Sequence, residues 1–132
     1  MVTDTRCFLA SEYTATKHDV SMARCWVREA VKGLVDAETA YDLSLCAAEL
    51  VDNARKHGRP EGAISVVLSL TDDSVRLDVT NDGSGATVPQ VTDNVLTEDG
   101  HGLKIVSSVA AEWGRYEIPD RKQVVWCQFP RK

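Results

Sequence analysis

Glu49 and Asn53 lie four residues apart in the run ELVDN, a spacing that sets a carboxylate and an amide on one side of a helix, a turn from each other. A carboxylate so placed can take the proton of an attacking hydroxyl. The neutral amide oxygen can complete the octahedral oxygen shell that Mg²⁺ demands beside nucleotide phosphates. Lys56, a turn beyond Asn53, is within reach of a phosphate. A second group, Asn81-Asp82-Gly83-Ser84-Gly85, follows an alternating strand. Its glycines let backbone approach a flat ligand, and the Asn81 side-chain oxygen can accept a hydrogen bond from an adenine amino group. The third, Gly100-His101-Gly102-Leu103-Lys104, stands where a loop becomes a helix, and the free N–H groups and positive dipole end found there suit a phosphate. Each group alone also has a plain structural reading: a solvated helix edge, an Asp-Gly turn, a flexible lead into a helix.

The elements that must position these groups are written in the periodicity. Residues 6–15 read as a strand, and Asp19 or Ser21 caps a helix over 20–34 with Met22, Ala23, Trp26, Val27, Ala30 and Leu34 on its apolar face. Asp36 opens a longer helix whose stripe of Leu43, Cys46, Ala47, Leu50, Val51 and Ala54 runs to His57, where Gly58 and Pro60 end it. Residues 63–71 and 74–81 alternate apolar and polar positions around Asp72-Asp73 and form a hairpin. From Asp82 to Asp99 no period is sustained, which marks a long loop. Leu103, Val106, Val109 and Ala110 define a third helix ending near Trp113-Gly114, and strands at 115–119 and 122–129 flank Asp120-Arg121. This order predicts an α+β sandwich, with helices on one face of a mainly antiparallel sheet that is apolar chiefly on that side.

With 132 residues, 43% of them hydrophobic, the chain has enough material for one compact core and too little for two ordinary domains, so residues 1–132 read as a single domain. A net charge of −5 with scattered basic residues argues against a nucleic-acid surface. No apolar run approaches the ~20 residues that span a bilayer, and no signal-peptide core is visible, which points to a cytoplasmic protein without a membrane partner. Cys7, Cys25, Cys46 and Cys127 show no metal-ligand spacing and read as reduced core thiols. There is neither a Walker-type phosphate loop nor a serine-hydrolase elbow, so nucleotide binding needs another scaffold.

In order along the chain, ELVDNARKHG, VTNDGSG and GHGLKIVSSVAAEWG resemble the asparagine box and the two glycine boxes of the GHKL (histidine-kinase-like) ATPase superfamily. SEYTATKHDVSMARCWVREAV and KQVVWCQF resemble the ends of its anti-sigma-factor serine/threonine kinase group, so the likeness covers nearly the whole chain. The resemblance implies a Bergerat-type two-layer sandwich, a mixed but mainly antiparallel sheet with three helices on one face, binding ATP and Mg²⁺. It implies that Asn53 ligates Mg²⁺, Glu49 is the catalytic base, and Lys56 contacts phosphate. Asn81, Gly83 and Gly85 would line the adenine pocket, and Gly100, His101, Gly102 and Leu103 the phosphate end of a lid over residues 86–99. Two residues depart from the pattern. Asn81 stands where the family usually has the aspartate that receives the adenine amino group, and His101 where many anti-sigma kinases have arginine. The implied activity is phosphorylation of a small antagonist protein by a homodimeric regulator that also holds a sigma factor. Two alternatives stay open: a nucleotide-gated binding module without phosphotransfer, and a detached sensor-kinase ATPase domain.

Overall fold

The computed structural model describes residues 7–14, 17–57, 62–81, 101–119 and 122–131. Within them the chain runs β1 (Cys7–Thr14), α1 (Lys17–Val31), α2 (Ala37–His57), β2 (Ala63–Leu70), β3 (Ser74–Asn81), α3 (His101–Val109), β4 (Glu112–Ile118) and β5 (Lys122–Pro130). The strands form one five-stranded sheet in the order β1-β2-β3-β5-β4. Every pairing is antiparallel, so the parallel component that a mixed sheet would include is absent from the described strands. No described helix is long and apolar enough to cross a membrane.

Alternation along the strands sorts the sheet into two faces, because successive side chains of a strand point to opposite sides. Ile64, Val66, Leu68 and Leu70 of β2, Val75, Leu77 and Val79 of β3, and Val125, Cys127 and Phe129 of β5 are all buried. They share one core with Ala23, Val27 and Val31 of α1, Leu103 and Val106 of α3, and the whole expected stripe of α2: Leu43, Cys46, Ala47, Leu50, Val51 and Ala54. The opposite face is knit by polar and aromatic groups. Arg76 stacks over the Trp126 ring at 4.2 Å and pairs with Asp78 through two bonds of 3.0 and 3.1 Å, and the Tyr116 hydroxyl donates to Asp78 at 3.4 Å. The sheet is therefore apolar on its helix side, as its alternation predicts.

Local chemistry sets the element ends. Asp36 Oδ1 accepts the Thr39 backbone N–H at 2.8 Å, the N-cap geometry that satisfies one orphan donor of α2. Gly33 has φ 81°, the left-handed residue that closes α1, with the Leu34 N–H donating to the Val31 carbonyl at 2.8 Å. This stop comes before Leu34, which is 38% exposed, and α1 begins before Asp19, so neither Asp19 nor Ser21 is its cap. The buried line of α1 is consequently Ala23-Val27-Val31, while Met22 is exposed and Trp26 and Ala30 are only partly covered. In the hairpin, the Thr71 hydroxyl accepts the Asp73 and Ser74 N–H groups, and the Thr71 N–H donates to the Ser74 carbonyl at 2.9 Å. Arg131 then ties the chain end across the molecule, donating to the carbonyls of Leu34 at 3.0 Å and Thr71 at 2.8 Å.

The third helix is shorter than its periodicity predicts. Trp113 and Gly114 belong to β4, opposite Cys127 and Trp126 of β5. The ladder across to β5 outweighs the weak helical preference of a segment holding a glycine. Glycine is needed there because a Cβ at residue 114 would stand 3.1 Å from the Trp126 indole. Of the cysteines, Cys46 and Cys127 are buried as expected and Cys25 is exposed. A hydrogen bond with Cys46 and burial push the Cys127 thiol well up, which keeps it protonated and unreactive. Gly114→Ala should displace the indole from beneath Arg76 and cost about 1–3 kcal/mol of stability, read as a lower midpoint in urea unfolding. An unchanged midpoint would show that the indole moves freely.

Candidate functional site

The second half of α2 carries polar side chains on the flank beside its buried stripe. Glu49, Asp52, Asn53 and Lys56 fall at spacings of three and four, so they are neighbours along that flank. The two carboxylates are driven in opposite directions. Burial, then the nearby Asp52 charge, raises the Glu49 carboxyl above its ordinary range, with Lys56 and Arg24 offsetting part of the effect. Burial also acts to raise Asp52, but hydrogen bonds and charge from Arg55 and Lys56 outweigh it and hold this carboxyl low. Arg55 meets Asp52 at 2.7 Å and Lys56 meets it at 3.3 Å. A raised carboxyl beside a lowered one separates roles: Glu49 is the better proton acceptor, and Asp52 holds cations.

Lys56, expected to contact phosphate, is engaged with Asp52 in this structure. An exposed ion pair of this kind is worth little, so exchange of Asp52 for a phosphate has a small cost. Asn53 is 5% exposed and its Oδ1 is fully enclosed without a hydrogen-bond partner, alone in this among the described residues. An enclosed carbonyl oxygen without a partner costs about 1–3 kcal/mol. A hard cation ligated by oxygen would satisfy it, so the residues present fit Mg²⁺ at this position.

Asn81 ends β3, where it is 3% exposed, and its Oδ1 accepts the Gln123 backbone N–H at 3.2 Å. Leu103 is packed into the core beside Val106, so what it can offer a phosphate is its backbone N–H in the first turn of α3. His101 and Gly102 open that helix, which packs against α2. Gly83, Gly85, Gly100 and the loop over 86–99 lie outside the described residues, as do Gly58, Pro60 and the Asp120-Arg121 turn. The structure thus brings Glu49, Asn53 and Lys56 to one helix flank, and adds two residues that sequence reasoning missed. Gln123 sets the Asn81 amide, and Arg24 of α1 acts electrostatically on Glu49. No local signal could have found Gln123, which is 42 positions from its partner.

Three helices over an antiparallel sheet, with a carboxylate and an orphaned amide oxygen on α2 and the N-terminus of α3 on a helix that packs against it, fit a nucleotide-binding class of α+β sandwich. The family model of the histidine kinase-like ATPase domain matches residues 13–129, and the chain belongs to that family of ATP-binding domains. A comparison with curated proteins gave no match.

The raised Glu49 carboxyl also makes a stability prediction. A carboxyl whose folded pKa lies above its unfolded value favours the fold while protonated and opposes it once ionised, so its cost is absent at low pH and complete above the folded pKa. Glu49→Gln should therefore raise neutral-pH stability, with the gain fading as pH falls through the carboxylate range. Thermal melts of both proteins from pH 3 to 8, roughly the window in which carboxyls titrate, check this. A loss of stability at neutral pH would mean that the Glu49 charge is favourably paired.

Proposed function

We propose that the domain binds ATP with Mg²⁺ and transfers its γ-phosphoryl group to a serine or threonine of a small antagonist protein, in a homodimeric anti-sigma-factor regulator of the cytoplasm. The observation that carries the nucleotide part is the enclosed, unpartnered Asn53 Oδ1, which suits a cation between protein and phosphates. Bound there, Mg²⁺ would withdraw charge from the phosphate oxygens. Glu49, with its raised carboxyl, takes the proton of the substrate hydroxyl as that oxygen bonds to the γ-phosphorus. The bond to the bridging oxygen breaks and ADP leaves. The backbone N–H groups opening α3 face negative charge favourably, which supports a phosphate there. A phosphate on the antagonist adds about two negative charges, which weakens its contact with a partner of net charge −5. Release of the antagonist leaves the regulator free to hold a sigma factor.

A second reading, a nucleotide-gated binding module without phosphotransfer, is favoured by one observation: Asn81 is neutral and its carbonyl is already bonded. Calorimetric titration with ATP, with and without Mg²⁺, separates a working site from a lapsed one. The wild type should bind with Kd on the order of micromolar in Mg²⁺. Asn53→Ala should lose about tenfold or more of that affinity while its Mg²⁺-free binding changes little. Absence of binding by the wild type would overturn both readings of the nucleotide site.

A further inference from the structure

Two cations reach Asp52, and they reach it through different oxygens. Arg55 donates to Oδ1 from Nε at 3.0 Å and from Nη2 at 2.7 Å, while Lys56 Nζ stands 3.3 Å from Oδ2. The side chains of Arg55 and Asp52 are 22% and 30% exposed and that of Lys56 is 44%, so the arginine is the fixed partner and the lysine the outer one. All three belong to α2. A cation four residues after an acid on a helix leans back toward it, because helical side chains tilt toward the N-terminus. Lys56 follows Glu49 by seven residues, which sets it about 20° away around the axis and about 10.5 Å along it. Asp52 lies between the two along the axis, within about 60° of either. It therefore stands on the path by which Lys56 would fold back toward Glu49, and it stops the lysine one turn short.

We propose that Asp52, anchored by Arg55, is a positioning residue: it parks Lys56 a turn away from Glu49, so that Glu49 keeps a carboxylate ready for a proton, and it yields Lys56 to the phosphates of a nucleotide. What Lys56 is released to rests on the nucleotide-binding reading above, whereas the parking concerns residues of α2 alone. Arg55 stays on Oδ1 when Lys56 leaves Oδ2, so the exchange leaves no carboxylate without a cation. The lysine moves from one anion to another, and a partly exposed pair of this kind is easily traded. The charged groups that act on Glu49 among the described residues are Asp52 and Lys56 of its own helix and Arg24 of α1. Burial raises this carboxyl most, the Asp52 charge adds to it, and Lys56 and then Arg24 oppose it. A lysine moved from Asp52 onto Glu49 would strengthen that opposition and make Glu49 a weaker base.

The test is a pH titration of the Glu49 carboxyl by carbon NMR on the full chain without nucleotide, in the wild type, Asp52→Asn, Lys56→Met and the double variant. Asp52→Asn should raise the Glu49 acidity constant about threefold or more. The same substitution should raise it less in the Lys56→Met background, where no lysine can cross to Glu49. A merely structural role for Asp52 gives no such dependence on Lys56. Equal changes in the two backgrounds would mean that Asp52 acts only through its own charge, and would overturn the inference. Lys56→Met alters an exposed position, so it keeps the test available if Asp52→Asn does not fold. Alone it should change the constant by less than about twofold, because the lysine is parked. A larger change would place Lys56 on Glu49 in the unliganded protein and overturn the inference. Calorimetry with ATP and Mg²⁺ reads the release: Asp52→Asn should bind about two- to fivefold more tightly, since no carboxylate then competes with phosphate for the lysine. Weaker binding by the variant would overturn the release. If the wild type binds no ATP, the nucleotide reading is refuted, and the Glu49 titration still decides the parking.

Discussion

The rotational setting of α2 about its own axis is the constraint from which the site follows. Six apolar residues, from Leu43 to Ala54, must face the inner side of the sheet, and at about 100° per residue this leaves no freedom for the rest of the helix. Asn53 lies about 60° from Leu50 around the helix and Glu49 about 100°, so Asn53 is drawn into the core margin while Glu49 stays half-buried. A slip of one position would bury a charge and expose part of the stripe. Core packing and site geometry are therefore one requirement, met by the same helix.

Burial is also what differentiates the polar groups on that flank. Glu49 and Asp52 are chemically alike and one turn apart, yet Arg55 and Lys56 both serve Asp52 and leave Glu49 with desolvation and a like charge beside it. Asn53 contributes an oxygen with no protein partner. A fold selected for stability alone would pair these groups, because unpaired buried polar atoms and repelled charges both oppose folding. Unpaired and repelled groups gathered on one helix flank support the proposed site, where a ligand would supply the missing partners.

Asn81 follows the opposite logic. It is buried at a strand end, and Gln123 on the neighbouring strand completes one half of its amide. That contact arises because β5 lies between β3 and β4 in the sheet, with β3 ending beside the start of β5. Gln123 is itself held by a side-chain bond of 2.6 Å to Glu117, so the strands reach the site as a coupled unit. On the far side of the sheet, Arg76, Asp78, Trp126 and Tyr116 cover the exposed face with paired and stacked groups, and Gly114 makes room for the indole.

The local repeat of residue types determined much of this by itself. The α2 stripe, the alternation of β2 and β3, the Asp36 cap and the spacing of Glu49 to Asn53 depend only on neighbours along the chain, and the structure has them as the sequence predicts. What the sequence misplaced was fixed by distant partners. Trp113 and Gly114 continue a helical period locally, but β5 claims their backbone, and Met22 and Leu34 fit the α1 period yet lie outside the face that α2 and the sheet cover. Cys25 looked like a core thiol and is exposed for the same reason. Tertiary structure alone decided that Lys56 rests on Asp52, that Glu49 is raised while Asp52 is lowered, and which way the Asn81 amide faces. Periodicity records which side of an element is apolar, whereas hydrogen-bond partners and desolvation depend on what the fold brings against that side.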